Sequence, residues 1–187
     1  MAITNLQIGL ASWIIQDGNY GDFHVNQEVD FALEFYSESI QPAKSENMRC
    51  ELVHPAVYSI CARVALLHPQ VWVIDFGLSA YEEARHPPNV QLHGWIEGEF
   101  YIGIDPFMYF ERIYQMREMP LLTYRWRVEG IKLETTPWIE ASSNIRIRDS
   151  SRLSYEDVAE TNAWNDDGAH SHYILECECL GLTQNIR

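Results

Sequence analysis

Apolar and polar residues alternate with a period of two along most of this chain, a pattern typical of strands that bury one face. The inward positions form six runs: Val29, Phe31, Leu33 and Phe35; Ile60, Ala62, Val64 and Leu66; Trp72, Ile74, Phe76 and Leu78; Val90, Leu92, Ile96, Phe100, Ile102 and Ile104; Leu122, Tyr124, Trp126 and Val128; and Tyr173, Leu175, Cys177 and Cys179. Gly94 and Gly98 share the inward register of the longest run, which predicts a bend of the kind that barrels require. We expect these inward residues to meet in one core.

Helical patterns are fewer than strand patterns. Asp105-Pro106 fits an N-cap and a first helical residue, and it predicts a helix over 107–119. Ser154 and Asp157 resemble a capping box and predict a short helix over 154–162, and residues 79–86 predict one more helical turn. The chain is therefore expected to be a single, mainly β domain over residues 1–187. We expect an antiparallel β-barrel or sandwich with one or two short helices, and an OB-like order of elements is compatible with the runs.

Composition adds a strong negative charge to this picture. The 187 residues are 47% apolar and 12% aromatic and carry a formal charge of −14. Such apolar content argues against disorder, and the negative charge argues against nucleic-acid binding. The one basic cluster to consider is Arg125, Arg127, Arg146 and Arg148. No Lys or Arg precedes Lys44 and no apolar stretch approaches the roughly twenty residues of a membrane span, so we expect a cytoplasmic protein.

The best metal-like pattern is His170-Ser171-His172 with Glu176. This HxHxxxE spacing resembles the first metal motif of cupin barrels, but the family's following glycine is displaced and its second motif has no counterpart. A metal site therefore stands only as an alternative, and we expect no metal and no cofactor. Cys50, Cys61, Cys177 and Cys179 form no CxxC pair, and reduced core thiols are the simplest interpretation.

The most distinctive loop runs over residues 17–23. It combines two glycines with Asp17, Asn19, Tyr20 and Asp22, and it fits neither an EF-hand nor a phosphate-binding loop. Loops of special conformation often carry function. We therefore count these four residues as binding candidates, although a structural turn before the first long strand is the favoured interpretation.

The outward positions of the longest run suggest a function. Trp95, Glu97, Glu99 and Tyr101 share one face, and Glu28, Asp30 and Glu34 lie outward on an earlier strand. An acidic face with embedded aromatic residues suits fast capture of a basic surface. Our leading hypothesis is a non-enzymatic binding protein, such as an inhibitor or immunity-type module, with a basic protein partner. A barrel that holds a small ligand, and an enzyme whose site is assembled only by folding, remain open alternatives.

Overall fold

The computed structural model describes residues 3–142, 145–162, 164 and 171–183, and it is mainly β. In this part of the chain the strands are β1 (Asn5–Ala11), β2 (Glu28–Tyr36), β3 (Gln41–Pro42), β4 (Arg49–His54), β5 (Val57–Leu67), β6 (Trp72–Asp75), β7 (Ser79–Glu82), β8 (Trp95–Ile104), β9 (Thr123–Glu134), β10 (Trp138–Ser142), β11 (Ile145–Arg148), β12 (Tyr155–Val158) and β13 (His172–Leu182). The helices are α1 (Ser12–Gln16) and α2 (Met108–Glu111), with 3-10 turns at Ile113–Gln115 and Ser150–Arg152.

Eight of these strands close into a barrel, in the order β1-β13-β9-β2-β7-β6-β5-β8 and back to β1. Six neighbouring pairs are antiparallel, whereas β2–β7 and β8–β1 are parallel. β2 and β8 also pair directly, from Leu33 opposite Ile104 to Tyr36 opposite Tyr101. The predicted β-barrel is confirmed, and its strand order is mixed rather than purely antiparallel.

The barrel interior is the main hydrophobic core, which we call the inner core. Its largest fully buried side chains include Trp72, Trp126, Phe31 and Phe100. Rings interlock there: Phe31 stacks on Trp126 at 5.4 Å between centroids. The period-two alternation therefore identified the inward face correctly. Leu92 and Leu66 are exceptions. Residues 91–94 form a turn before β8 begins and leave Leu92 50% exposed. A register shift in β5 between Val64 and Leu66 places Leu66 against a second hydrophobic cluster outside the barrel.

The helix predictions were largely wrong. The segment after Asp105 holds only α2 and a 3-10 turn rather than a helix over 107–119. The region predicted as a helix over 154–162 contains β12, which pairs with Ile131–Glu134 of β9. Residues 79–82 form β7, hydrogen-bonded between β6 and β2, rather than a helical turn. In both strand cases, pairing with a neighbouring strand overrides a weak local helical signal.

A second cluster, which we call the outer core, lies on the outer face of β2, β6 and β7. The chain after β8 folds over this face with α2 and the following 3-10 turn. Its fully buried members are Ala32, Val71, Val73, Tyr81, Tyr109, Phe110, Ile113 and Leu122. β2 and β7 therefore bury residues on both of their faces, as strands covered by a helical layer do.

Three short strands and one hairpin stand outside the ring. β3 pairs with β8, β4 with β5, and β12 with β9. Among the described residues no strand pairs with the second edge of β4. β10 and β11 form a separate two-stranded sheet whose Ile139, Ile145 and Ile147 are exposed. These elements provide surface rather than core.

Candidate functional site

The predicted acidic row lies on the outside of the barrel, along β8. We call Trp95, Glu97, Glu99 and Tyr101 the β8 outer face. Glu97 lies opposite Gln41 of β3 and Cys61 of β5, and the Gln41 amide donates to its carboxylate at 3.3 Å. A surface groove of about 650 Å³ follows these strands, lined by Ser39, Ile40, Gln41, Arg49, Ser59, Glu97, Gly98 and Glu99. The structure therefore places both predicted glutamates in one groove.

The two aromatic residues of this face are less prominent than expected. Trp95 is half-buried beside Arg63 on β5. The Tyr101 ring folds back over the wall, where a Cβ on Gly9 would lie 1.8 Å from its hydroxyl oxygen. Tyr101 thus fills the space above two glycines, Gly9 and Gly103, and does not project as an anchor. Glu99 is the exposed residue of this face, and Glu97 is half-buried like the two aromatic residues.

The acids predicted on β2 do not extend the acidic surface. Asp30 is nearly buried and receives two hydrogen bonds from the Arg125 guanidinium, at 2.9 and 3.1 Å. Glu28 pairs with Arg127, whose other terminal nitrogen lies 2.7 Å from Glu178. Two arginines thus pair with three acids between β2, β9 and β13. The acidic face is therefore narrower than the sequence suggested.

The same pairs engage half of the predicted basic cluster. Arg125 and Arg127 belong to the ion pairs just described. Arg148 lies over the Trp138 ring, with its guanidinium carbon 4.2 Å from the centroid, and donates to a backbone oxygen at 2.6 Å. Arg146 is exposed on β11. The four arginines therefore do not form a free basic patch.

The loop over residues 17–23 packs against one region of the barrel. Asp17 ends α1 and is exposed, and Asn19 is half-buried. Tyr20 is buried, with its ring edge-on to Phe107 at 5.6 Å. Asp22 accepts a hydrogen bond from the Thr161 hydroxyl at 2.9 Å. Two of the four candidates thus have structural contacts, which favours the interpretation of this loop as a structural turn.

The metal-like motif is only partly described. His170 lies outside the described residues. His172 begins β13, and Glu176 lies 3.3 Å from the Lys132 ammonium and accepts from Gln7. Four residues along a strand separate the His172 and Glu176 Cα atoms by about 13 Å. Among the described residues, no three His, Cys, Asp or Glu side chains form a metal-binding group.

Sequence reasoning missed a cluster of ionisable groups beside the outer core. We call Glu34, Tyr81 and Asp105 the carboxyl cluster. Glu34 of β2 lies opposite Tyr81 of β7 in the sheet, and the Tyr81 hydroxyl donates a short hydrogen bond to Asp105. The Asp105 carboxylate also accepts from the backbone N–H of Tyr109 at 3.2 Å, and so it fastens α2 to the sheet.

The electrostatics of this cluster are unusual. Burial, and then the negative charge of Asp105, raise the pKa of Glu34 to about 8. Burial raises the pKa of Asp105 to about 6, although hydrogen bonds from Tyr81 and from backbone N–H groups partly oppose that rise. Burial, followed by the nearby Asp105, also raises the pKa of Tyr81. Near neutral pH this arrangement keeps Glu34 protonated and Asp105 mostly ionised.

The only sequence signal for this cluster was the N-cap pattern at Asp105-Pro106. Asp105 does accept a hydrogen bond from the Tyr109 N–H, but the predicted N-cap position was wrong: α2 begins at Met108, and Phe107 rather than Asp105 is its N-cap residue. Nothing in the pattern linked Asp105 to Glu34, because Glu34 lies on β2 and Asp105 follows β8, and only the pairing of these two strands brings the residues near each other. The alternation predicted only that the Glu34 side chain faces the outside of the sheet.

Comparison with known protein families, with curated proteins and with solved structures finds no match. The interpretation of the site therefore depends on its geometry. Within the described ranges, no helix has both the length and the apolar character needed to cross a bilayer.

Proposed function

We propose that the protein is a non-enzymatic binding module that captures a basic protein partner in the groove of the β8 outer face. The observation that carries the proposal is that, in the part of the chain that the structure describes, no cation pairs with Glu97 or Glu99. Glu97 receives a hydrogen bond from an amide, and neither side chain has an ion pair among the described residues. By contrast, Asp30 and Glu28 on β2 each pair with an arginine.

The charge of the whole molecule supports the same partner. A chain with a formal charge of −14 attracts a basic protein over a distance of about 8 Å at physiological salt. The groove then offers carboxylates beside the amide of Gln41 and the hydroxyl of Ser59, which suit the ammonium and guanidinium groups of Lys and Arg. Arg49 at the groove wall gives the surface a positive point that would orient the partner.

The two alternatives have weaker support. A small ligand inside the barrel would have to displace Trp72, Trp126 and Phe100, which fill the interior and are fully buried. An enzymatic role would draw on the carboxyl cluster, because a protonated Glu34 beside an ionised Asp105 has the character of an acid–base pair. No feature of that cluster indicates a substrate.

A capture experiment tests the proposal. Immobilised wild-type protein and the variant E97K/E99K are exposed to lysate of the native cell, with E140K/E156K as the charge-matched control, since Glu140 and Glu156 are exposed outside the groove. We expect wild type and control to retain the same basic protein and E97K/E99K to lose it. An acidic partner, or equal retention by all three proteins, would contradict the proposal.

Kinetics with the captured partner sharpen the test. Association should slow as salt rises, and E97K/E99K should lower the association rate, because rim charges act mainly on encounter. Trp95→Ala should have a smaller effect on binding than E97K/E99K, because Trp95 is half-buried and does not line the groove. An association rate that is independent of salt would argue against electrostatic steering.

A further inference from the structure

β4 presents an open strand edge with exposed side chains. One edge pairs with β5, and no described strand occupies the other. Leu52 is 51% exposed, and Met48, just before the strand, is 38% exposed. Unpaired N–H and C=O groups on such an edge readily pair with another strand.

The sequence of β4 is complementary to itself in one register. Two copies related by a two-fold axis pair β4 antiparallel to itself, and opposite residues then share a face of the continuous sheet. Because opposite residues must share a face, one residue of β4 has to lie on the two-fold axis, opposite the same residue of the second copy. An axis at Glu51 would set two carboxylates against each other, and an axis at Leu52 would set Glu51 against Val53.

An axis at Cys50 gives a different result. Arg49 then lies opposite Glu51 of the second copy, and this pair occurs twice by symmetry. Met48 likewise lies opposite Leu52, so the two exposed apolar side chains cover each other. Opposite charges and apolar pairs directly across antiparallel strands are stabilising, and like charges are destabilising.

We infer that the protein associates with a second copy of itself through β4, in the antiparallel register that places Arg49 opposite Glu51. The charge pattern favours a second copy over an unrelated strand, because the same short strand supplies both the cation and the anion. It also suits a molecule with a formal charge of −14, since two such barrels repel each other unless opposite charges meet at their contact. The inference does not depend on the proposed function.

Sedimentation velocity over a wide range of protein concentration tests this interface. We expect wild type to shift from monomer to dimer as concentration rises. Glu51→Arg sets Arg against Arg and Arg49→Glu sets Glu against Glu, so each should weaken the dimer at least about tenfold. The double variant R49E/E51R restores opposite charges at both pairs and should restore the dimer.

Two controls keep the result interpretable. Glu156→Arg changes an exposed acid on β12, another short flanking strand, and should leave the dimer intact. Melting temperatures of all variants should match wild type at low concentration, because Arg49 and Glu51 are exposed. A monomer at every concentration would overturn the inference, and so would a dimer that is indifferent to the single substitutions. Failure of R49E/E51R to restore association would overturn the register.

Discussion

The inner core and the outer core share strands but are held together differently. β2 contributes Phe31 and Leu33 to the barrel interior and Ala32 to the outer core. Inside, aromatic and aliphatic side chains meet almost without polar groups. Outside, the cover formed by α2 is tied down by Asp105, Tyr81 and Tyr109 through hydrogen bonds to ionisable groups. The difference predicts that the attachment of the cover responds to pH more than the packing of the barrel interior does.

The largest expected effect breaks the inner core. Phe100 is fully buried and contacts the Phe35 ring at 5.6 Å between centroids. Phe100→Ala should lower the free energy of unfolding by about 3–5 kcal/mol, through lost transfer free energy and the cavity left behind. Urea denaturation measures this loss, which should be the same at pH 5 and pH 8. Leu92→Ala is the matched control, and its exposed side chain predicts a change within about 0.5 kcal/mol.

The second effect concerns pH and the outer core. Glu34 holds its proton in the folded state up to about pH 8, whereas the unfolded chain releases it near pH 4.5. The unfolded state therefore gains stability as pH rises between these values, and folding loses up to about 1.4 kcal/mol per pH unit from this group. The raised pKa of Asp105 also makes the folded state less stable as pH rises, from near pH 4 up to about pH 6.

Glu34→Gln separates these two contributions. The amide resembles the protonated carboxyl and cannot ionise, so the variant should be more stable than wild type at pH 8 and similar to it at pH 4. Urea denaturation at intervals between these pH values measures the difference. A wild-type stability that is constant from pH 6 to pH 8 would contradict the assignment of a raised pKa to Glu34.

A smaller effect should follow from removing one hydroxyl. Tyr81→Phe deprives the Asp105 carboxylate of its side-chain donor. At pH 7.5, where Asp105 is mostly ionised, the loss should be about 1.5–3 kcal/mol, because the bond involves a charged acceptor. Tyr36→Phe is the control: its hydroxyl donates to Glu38 at 3.0 Å on an exposed surface, and its loss should cost little. Equal effects of the two substitutions would show that the outer core does not depend on this bond.

The smallest effect concerns ion pairs on the open surface. Arg127 contacts Glu28 and Glu178, but its side chain is 43% exposed. Arg127→Gln should therefore change the free energy of unfolding by less than about 1 kcal/mol, and the change should shrink further in high salt. Thermal unfolding at low and high ionic strength measures it. If Arg127→Gln lowered the free energy of unfolding as much as Tyr81→Phe, the exposed ion pairs would be as important for stability as the buried Tyr81–Asp105 hydrogen bond, which would contradict this prediction.

The alternation of residue types predicted the barrel interior well because inward positions need only be apolar. Phe31, Trp72 and Leu175 were assigned from a local pattern that burial imposes directly. Asp105 and Glu34 could not be paired in the same way, because their proximity arises from the direct pairing of β2 with β8, which are far apart in sequence. The capping-box pattern at Ser154 gave a wrong helix prediction, because the residues that follow it pair with β9 as strand β12.

The pairing of β1 with β13 has a consequence for how this protein is made. β1 is the first strand of the described chain and β13 is the last, yet they pair along the whole of β1, from Asn5 opposite Glu178 to Ala11 opposite His172. During synthesis, the edge of β1 that pairs with β13 stays unpaired until β13 has left the ribosome. Contacts between residues so far apart in sequence slow folding, so this barrel should close in milliseconds to seconds rather than microseconds. A nascent chain lacking β13 is the species that a chaperone would have to protect.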